Sequence, residues 1–476
     1  MENTASTPAS RQDSWTRELN RYHWFVLAVC ALGWLFDTMD QQLFVLVVAA
    51  LGWLFDCLDQ QLFNIARVPA MKDLLGTQDM RTITEYGGYA TSIFLLGWAA
   101  GGLGFGVLGD RIGRAKTMLV TILVYSLCTG LSSFSVGFWD FAVYRFLTGL
   151  GVGGEWAVGV ALVAEVMPER ARPYALGLLQ TLSTVGNVTA ALISMGLGWL
   201  EQGGHIAHID AWRIMFLIGA VPALLAVLIR RRLAEPEKWQ SIAAGSQKRQ
   251  RLGSYGELFG HPRWRRHAIV GFLLASAGVV GLWGILFFSI DLIRAVLRQS
   301  FEAQGMAPVV VAGKLNLWAG IATLMINVGA FAGMWTFSRF TQRVGRKPAF
   351  ALGFVLAMGS TALGFWHLRE AAHVFWLVPL MSFGQFGLFA GYAIYFPELF
   401  PTRLRSTGVS FCYNVGRFVA ALGPLTLGLL TSKVFAHHPG LLPLRYAGLT
   451  LCSVFVIGLL ALPFAPETRG QGLPEE

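Results

Sequence analysis

Two arginines stand in the middle of long apolar runs, Arg145 and Arg417, and a few acids share that setting: Glu155, the pair Asp56 and Asp59, and their near copies Asp37 and Asp40. A guanidinium at bilayer depth costs at least ~2.5–3.5 kcal/mol unless it is paired or hydrated. Arg145, about eight residues into its run and so roughly 12 Å deep, therefore needs a partner, and the first-run acids are the leading candidates. Arg417 shares a helix face with Asn414, three residues before it. Its planar fork matches two oxygens, which makes it a carboxylate receptor if it lines a cavity; pairing with an internal acid is the competing reading. Glu155 is open to three roles: binding a cation, carrying a proton or pairing with Arg417. Gln180, Asn187, Asn327, Gln385 and Tyr392 are the neutral polar candidates for a binding site, and Trp283 either stacks on a ligand ring or packs.

Catalytic sets are missing from this pattern. No Ser/His/Asp or Cys/His group falls at matched depth, and Cys30, Cys57, Cys128, Cys412 and Cys452 read as small core hydrophobes. His205 and His208, with Asp210, read as a solvated loop rather than a metal site. Gly149, Gly151 and Gly153 lie in an apolar run with no preceding strand, so they serve close helix approach and not a nucleotide. We expect no enzyme activity, no metal and no cofactor.

The elements that must position these residues are membrane spans. Of 476 residues only 13% are charged and 54% are hydrophobic, too thin a polar skin for a soluble enzyme, a disordered scaffold or a disulfide-rich secreted module. Apolar runs near 24–63, 86–108, 117–135, 138–164, 174–200 and 212–230 precede a polar stretch; runs near 267–290, 315–338, 349–367, 373–396, 407–430 and 444–464 follow it. The expected class is an all-α polytopic membrane protein with twelve transmembrane helices in two six-helix bundles. Its parts are a tail over 1–23, a first bundle over 24–230, a basic linker over 231–266, a second bundle over 267–465 and a tail over 466–476. Placing both termini in the cytoplasm puts 25 of the 37 Lys and Arg inside, 10 outside and two within spans. The net charge of +10 thus anchors topology and does not imply nucleic acid.

The halves repeat. Arg111-Ile-Gly-Arg114 recurs as Arg343-Val-Gly-Arg346 at an offset of 232, and Glu165-Val-Met-Pro168-Glu-Arg170-Ala-Arg172 recurs as Glu398-Leu-Phe-Pro401-Thr-Arg403-Leu-Arg405 at 233. Parallel repeats of this kind place a site between the halves near the midplane. The loop Gly106-Val-Leu-Gly-Asp110-Arg111-Ile-Gly113-Arg114-Ala-Lys116 and the run Arg145-Phe-Leu-Thr-Gly149-Leu-Gly151-Val-Gly153 resemble signatures of the major facilitator superfamily. Pro397-Glu398-Leu-Phe-Pro401-Thr-Arg403 and Pro466-Glu467-Thr-Arg469-Gly470 resemble its sugar-porter branch. Gly153-Gly154-Glu155-Trp156 and Glu235-Pro-Glu-Lys-Trp239 resemble its metabolite:proton symporters.

The resemblance implies a secondary transporter working by alternating access, with proton-coupled symport of a small organic acid as the leading reading and a sugar or polyol porter, or a non-transporting sensor, behind it. It implies proton coupling through Asp56, Asp59 and Arg145, with protonation of the aspartate weakening the ion pair; a static pair is the alternative. Substrate binding falls to Arg417, Asn414, Gln180, Asn187, Asn327, Trp283, Gln385, Tyr392 and Glu155. Gating falls to Asp110, Arg111, Arg114, Glu165, Arg172, Arg343, Arg346, Glu398 and Arg405. An Asp110 carboxylate accepting from helix N-terminal amides and neighbouring arginines would latch one side; Gln342 stands at its place in the second half, so that latch is weaker. The partners are a small molecule, protons and the lipid bilayer, the chain is monomeric, and the membrane is an inner or plasma membrane.

One feature resists this scheme. Residues 31–44 recur as residues 50–63, identical at 12 of 14 positions with a step of 19. On one straight helix that step is ~28 Å and ~100°, so only one copy can hold its aspartates at the midplane. The second copy runs directly into Asn64-Ile-Ala-Arg67-Val-Pro69, an exit loop, and is taken as the span. The first copy then extends into the cytoplasm or lies at the interface.

Overall fold

The computed structural model describes residues 21–202, 210–224, 226, 233–245, 252–286, 289–420, 426–427 and 429–474, with backbone alone for 21–41 and a few positions elsewhere. The described residues are predominantly helical: α1 (Arg21–Leu75), α2 (Met80–Ile112), α3 (Arg114–Ser132), α4 (Phe138–Val166), α5 (Arg172–Thr181), α6 (Ser183–Gln202) and α7 (Ala211–Ile218) precede two short linker helices, α8 (Glu237–Gly245) and α9 (Tyr255–Gly260). Then come α10 (Pro262–Gly281), a π-helical turn over Leu282–Leu286, α11 (Ser289–Ala303), α12 (Pro308–Val344), α13 (Arg346–His367) and α14 (Ala371–Leu399). After them run α15 (Arg405–Ala420), α16 (Leu442–Leu451) and α17 (Val454–Ala461). Among the described residues ten helical stretches are long and apolar enough to cross a membrane. The runs at 212–230 and 407–430, which complete the twelve, contain residues outside the described set. Leu96, Trp139, Met195, Leu317, Phe331 and Leu460 are exposed, the apolar exterior a lipid-facing surface requires.

The duplicated segment forms one helix of 55 residues, about 83 Å long against a hydrocarbon core of roughly 30 Å. The second copy packs in the bundle, with Trp53, Asp56, Asp59, Leu62 and Phe63 buried. Residues 64–69, expected as an exit loop, are instead part of the same helix, which carries Pro69 inside it and runs on to Leu75. The side chains of Asp37 and Asp40 lie outside the described residues.

Backbone contacts reveal the repeat more closely than the loops do. In the first half α2 lies against α4 so tightly that a Cβ on Gly97 or Gly101 would overlap the carbonyls of Phe146 or Leu150, and one on Gly149 or Gly153 those of Phe94 or Trp98. In the second half α12 meets α14 the same way, Gly329 against Pro379 and Gly333 against Phe383. Small residues also line the seams between halves. Gly102, Gly106 and Gly109 of α2 face Asn414, Ser410 and Ser406 of α15, while Ser338 of α12 faces Gly177 of α5. Such stripes permit the close approach that replaces hydrophobic drive inside a bilayer. Gly153→Ala should therefore lower stability by about 1–3 kcal/mol, because the backbone must shift. Gly196→Ala, which meets open space, should leave it near wild type; thermal unfolding in detergent compares the two.

Candidate functional site

Asp59 and Arg145 meet in the core of the first half, both fully buried. Arg145 Nη1 lies 3.6 Å from Asp59 Oδ2, too far for a hydrogen bond, and neither atom has another partner. The other Asp59 oxygen accepts from Thr129 at 2.8 Å. Arg145 is held independently of the aspartate: it donates to Ser132 at 2.9 Å and Thr148 at 3.1 Å, and its guanidinium lies among Phe63, Phe141 and Phe216, nearest Phe216 at 4.7 Å. The arginine is thus fixed by α3, α4 and the aromatics, and only the acid has slack. Protonating Asp59 removes the Coulomb attraction between α1 and α4 without releasing the arginine.

Arg417 is also buried, and among the described residues no carboxylate pairs with it. Its guanidinium sits between aromatic faces, 4.1 Å from the centre of Trp98 and 4.3 Å from that of Tyr413. It donates to Asn414 Oδ1 at 2.9 Å, and its Nε has no partner. Tyr413 stacks on Trp156 of the other half at 3.6 Å, and Trp283 meets Trp98 edge-on at 6.4 Å. Trp156 donates to Gln180 at 2.9 Å, and Asn187 donates to Asn327 across the halves at 3.2 Å. Glu155 is not with Arg417. It faces Asp56 of α1 in the space that Gly52 leaves open.

Two residues of the expected binding set are engaged within the second half. Gln385 donates to Thr361 at 2.7 Å, joining α14 to α13. Tyr392 donates to the carbonyl of Leu274 at 2.7 Å and stacks on Phe350 and Phe396. α14, which carries both, is apolar all round, so periodicity did not indicate which face meets a neighbour and which a cavity.

The end of the bundle that carries the repeated loops is closed. Asp110 accepts from the amides of Ser406 at 3.1 Å and Thr407 at 2.8 Å, and from the Thr407 hydroxyl at 2.6 Å, at the start of α15. A carboxylate at a helix N-terminus meets unsatisfied N–H groups and the positive end of the dipole. Arg114 lies 2.9 Å from both Asp110 and Glu165, and Arg405 of the second half reaches the same Glu165 oxygen at 2.7 Å. In the second half Arg346 grips Glu398 with two bonds, at 2.8 and 3.0 Å. Three gating candidates stand apart from this lattice. Arg172 donates to the carbonyl of Ala164, Arg111 reaches the linker carbonyls of Leu252 and Gly253, and Arg343 is exposed.

The linker and the second tail belong to the same lattice, which charge counting missed. Trp239 donates to the Asp110 carbonyl at 2.8 Å, and Glu257 pairs with Arg403. Glu235 accepts from the amides of Ala115 and Lys116 at 3.1 and 3.0 Å, and Glu467 from those of Arg346 and Lys347 at 2.8 and 3.0 Å. Each caps a helix that follows a glycine of positive φ, Gly113 or Gly345, and Glu235 and Glu467 are 232 residues apart. The loop repeat at the same offset was the signal available for finding them.

Burial alone would raise the Glu467 carboxyl, but the amides of Arg346, Lys347 and Arg469 outweigh it and hold the group below its usual range. A carboxyl depressed on folding stabilises above its unfolded pKa, and that contribution fades as pH falls through the lower folded value. Glu467→Gln should thus cost ~0.5–2 kcal/mol at neutral pH, the usual worth of a cap, and the gap to wild type should close in acid. Thermal unfolding of both proteins across pH tests the sign.

A twelve-helix bundle of two repeated halves, with charged pairs inside and a polar latch at one end, defines a membrane transporter. The profile of the Major Facilitator Superfamily matches residues 49–424, and the chain belongs to that family. The match opens one residue before the second copy of the duplicated segment. A probable 4-methylmuconolactone transporter of Cupriavidus pinatubonensis is 30% identical over 444 residues, 93% of this chain and 90% of that one. A cis,cis-muconate transport protein of Acinetobacter baylyi is 29% identical over 354 residues, 73% and 79% of the two chains. Among solved structures, the proton:xylose symporter XylE aligns with a TM-score of 0.69 at 18% identity, over 92% of this chain and 98% of that one, a likeness of fold. The protein is a transporter and not an enzyme.

Proposed function

We propose that the chain is a proton-coupled symporter of a small planar organic acid, monomeric in a cell membrane, with both termini and the latched end cytoplasmic. The observation that carries this reading is Arg417, a buried guanidinium between two aromatic faces with no acid of its own among the described residues. Such a group has two unspent needs, a counter-charge and a bidentate acceptor, and a carboxylate meets both. The aromatic walls favour an acid whose carboxylate lies in a conjugated plane. The muconate-related relatives support that class.

Asp59 and Arg145 serve as the proton switch. Charged, the pair ties α1 to α4; protonated, it lets the first half rearrange. The latch of Asp110, Glu165, Arg114 and Arg405 closes the cytoplasmic side, so this conformer is closed toward the cell interior. The halves rock about a binding site lined by Arg417, Asn414, Trp156, Gln180, Asn187 and Asn327.

Reconstituted protein should take up nicotinate, benzoate or cis,cis-muconate in preference to lactate, a sialic acid, glucose, xylose or phosphate, in an assay of labelled uptake into proteoliposomes with an inward proton gradient. Sugar uptake indifferent to the gradient would move the assignment to a porter and recast the charges as structural. Binding without uptake of any panel member would make it a sensor.

A further inference from the structure

Arg67 is a cation of the first half that neither the proton switch nor the latch uses. Because α1 continues as helix through Pro69 to Leu75, Arg67 stands on a helix wall and not in a loop. It is partly buried and reaches across to α2. A Cβ on Gly87 would meet its stem at 3.3 Å, and its Nη1 donates to Thr91 Oγ1 at 3.0 Å. Thr91 gives its own proton to the Gly87 carbonyl at 2.8 Å, so its oxygen can only accept. A guanidinium carries five N–H groups, and among the described residues Thr91 is the one hydrogen-bond partner of Arg67. The neighbouring acids are committed elsewhere. Asp73, six residues on, pairs with Arg213 at 2.7 Å, and Glu85 accepts from Tyr89 at 2.6 Å on an exposed face.

The face of α2 that receives Arg67 leads to Arg417. At ~100° per residue, Thr91, Trp98, Gly102 and Gly109 lie within about 40° of one another. Trp98 meets the Arg417 guanidinium at 4.1 Å and Gly102 abuts Asn414, so this face looks at the second half. The exposed Tyr89 and Leu96 fall on the far side. Thr91 stands about 10 Å from Trp98 along the axis and about 28 Å from Asp110, at the end away from the latch. A snorkelling arginine turns its head out toward the interface. Arg67 does the opposite: its head, at Thr91, lies one turn nearer Trp98 than its stem, at Gly87. Among the described residues α2 thus carries, on one face, two cations of the bundle interior that no carboxylate pairs.

We propose that Arg67 is an outer docking station for the substrate carboxylate: it captures the acid at the unlatched end and passes it along this face of α2 to Arg417. No bond is made or broken in the step. The inference rests on the acid-symport reading and deepens it.

The test is initial uptake of labelled nicotinate by intact cells producing the full chain, corrected for cells without it, so that all molecules share one orientation. Arg67→Gln should raise KM about five- to tenfold and leave the maximal rate per molecule within about twofold, since a charge at the entry changes capture more than turnover. Arg67→Lys should restore most of the loss, because capture needs the charge and not the fork. Wild-type KM should rise between about 0.01 M and 0.15 M salt, as the screening length falls from ~30 to ~8 Å, and the KM of Arg67→Gln should be much flatter. A KM within about twofold of wild type, or a lower maximal rate at unchanged KM, overturns the station and leaves the symporter standing. Wild-type protein that takes up none of nicotinate, benzoate and cis,cis-muconate overturns the acid reading itself. If Arg67→Gln does not reach the membrane, Thr91→Val decides. It keeps the charge, removes the bond that turns the guanidinium inward, and should raise KM about threefold; an unchanged KM contradicts the station.

Discussion

Arg417→Ala should lose affinity for the transported acid at least ~30-fold, while Arg417→Lys recovers only part of it. Truncating one partner of a buried charge pair costs about 2–5 kcal/mol, and each 1.4 kcal/mol is tenfold. Lysine restores the charge but not the planar fork, nor the stacking between Trp98 and Tyr413. The effect should appear in binding, measured as loss of acid-induced thermal stabilisation, before it appears in rate. A sugar would lose far less, since a hydroxyl needs no counter-charge. An Arg417→Ala variant that binds nicotinate as wild type does would remove the main argument for an anionic substrate.

Asp59→Asn carries the second large effect, and its sign differs. The amide keeps the Thr129 contact and mimics a protonated acid, so the α1–α4 attraction is lost in every state. Exchange of labelled for unlabelled substrate across the membrane should continue. Proton-driven accumulation should fall at least tenfold at a gradient of one pH unit, because one coupled proton is worth ~1.4 kcal/mol there. Arg145, caged by Phe63, Phe141, Phe216, Ser132 and Thr148, should stay in place. A variant that accumulates substrate as well as wild type would mean that the pair is structural.

The two halves, the helical class and the family were legible because apolar length, cation placement and loop motifs are local properties of the chain. The duplicated first segment was harder: Asn64-Ile-Ala-Arg67-Val-Pro69 reads as an exit loop, yet α1 runs on as helix through Pro69 to Leu75, and it is the burial of Trp53, Asp56 and Asp59, not a loop, that places the second copy in the bundle. Side-chain partners across helices were less accessible. Glu155 had three candidate roles, and the choice of Asp56 depends on Gly52 opening a space on α1, which no motif announces. Gln385 and Tyr392 looked like cavity residues because α14 is apolar on every face, and its neighbours could not be read from periodicity. Glu235 and Glu467 act as helix caps far from the helices they cap in sequence, 120 residues or so from Ala115 and Arg346. Sequence gave their residue type and repeat spacing, and only the fold brings them to the amides.

An inward proton gradient should drive a small organic acid uphill through this chain. The most direct measurement is nicotinate accumulation in proteoliposomes with the gradient imposed and then collapsed by a protonophore. Accumulation above the outside concentration, released on collapse and strongly reduced in Asp59→Asn vesicles, is the predicted result. Entry at the same rate and to the same level with and without the gradient would contradict it.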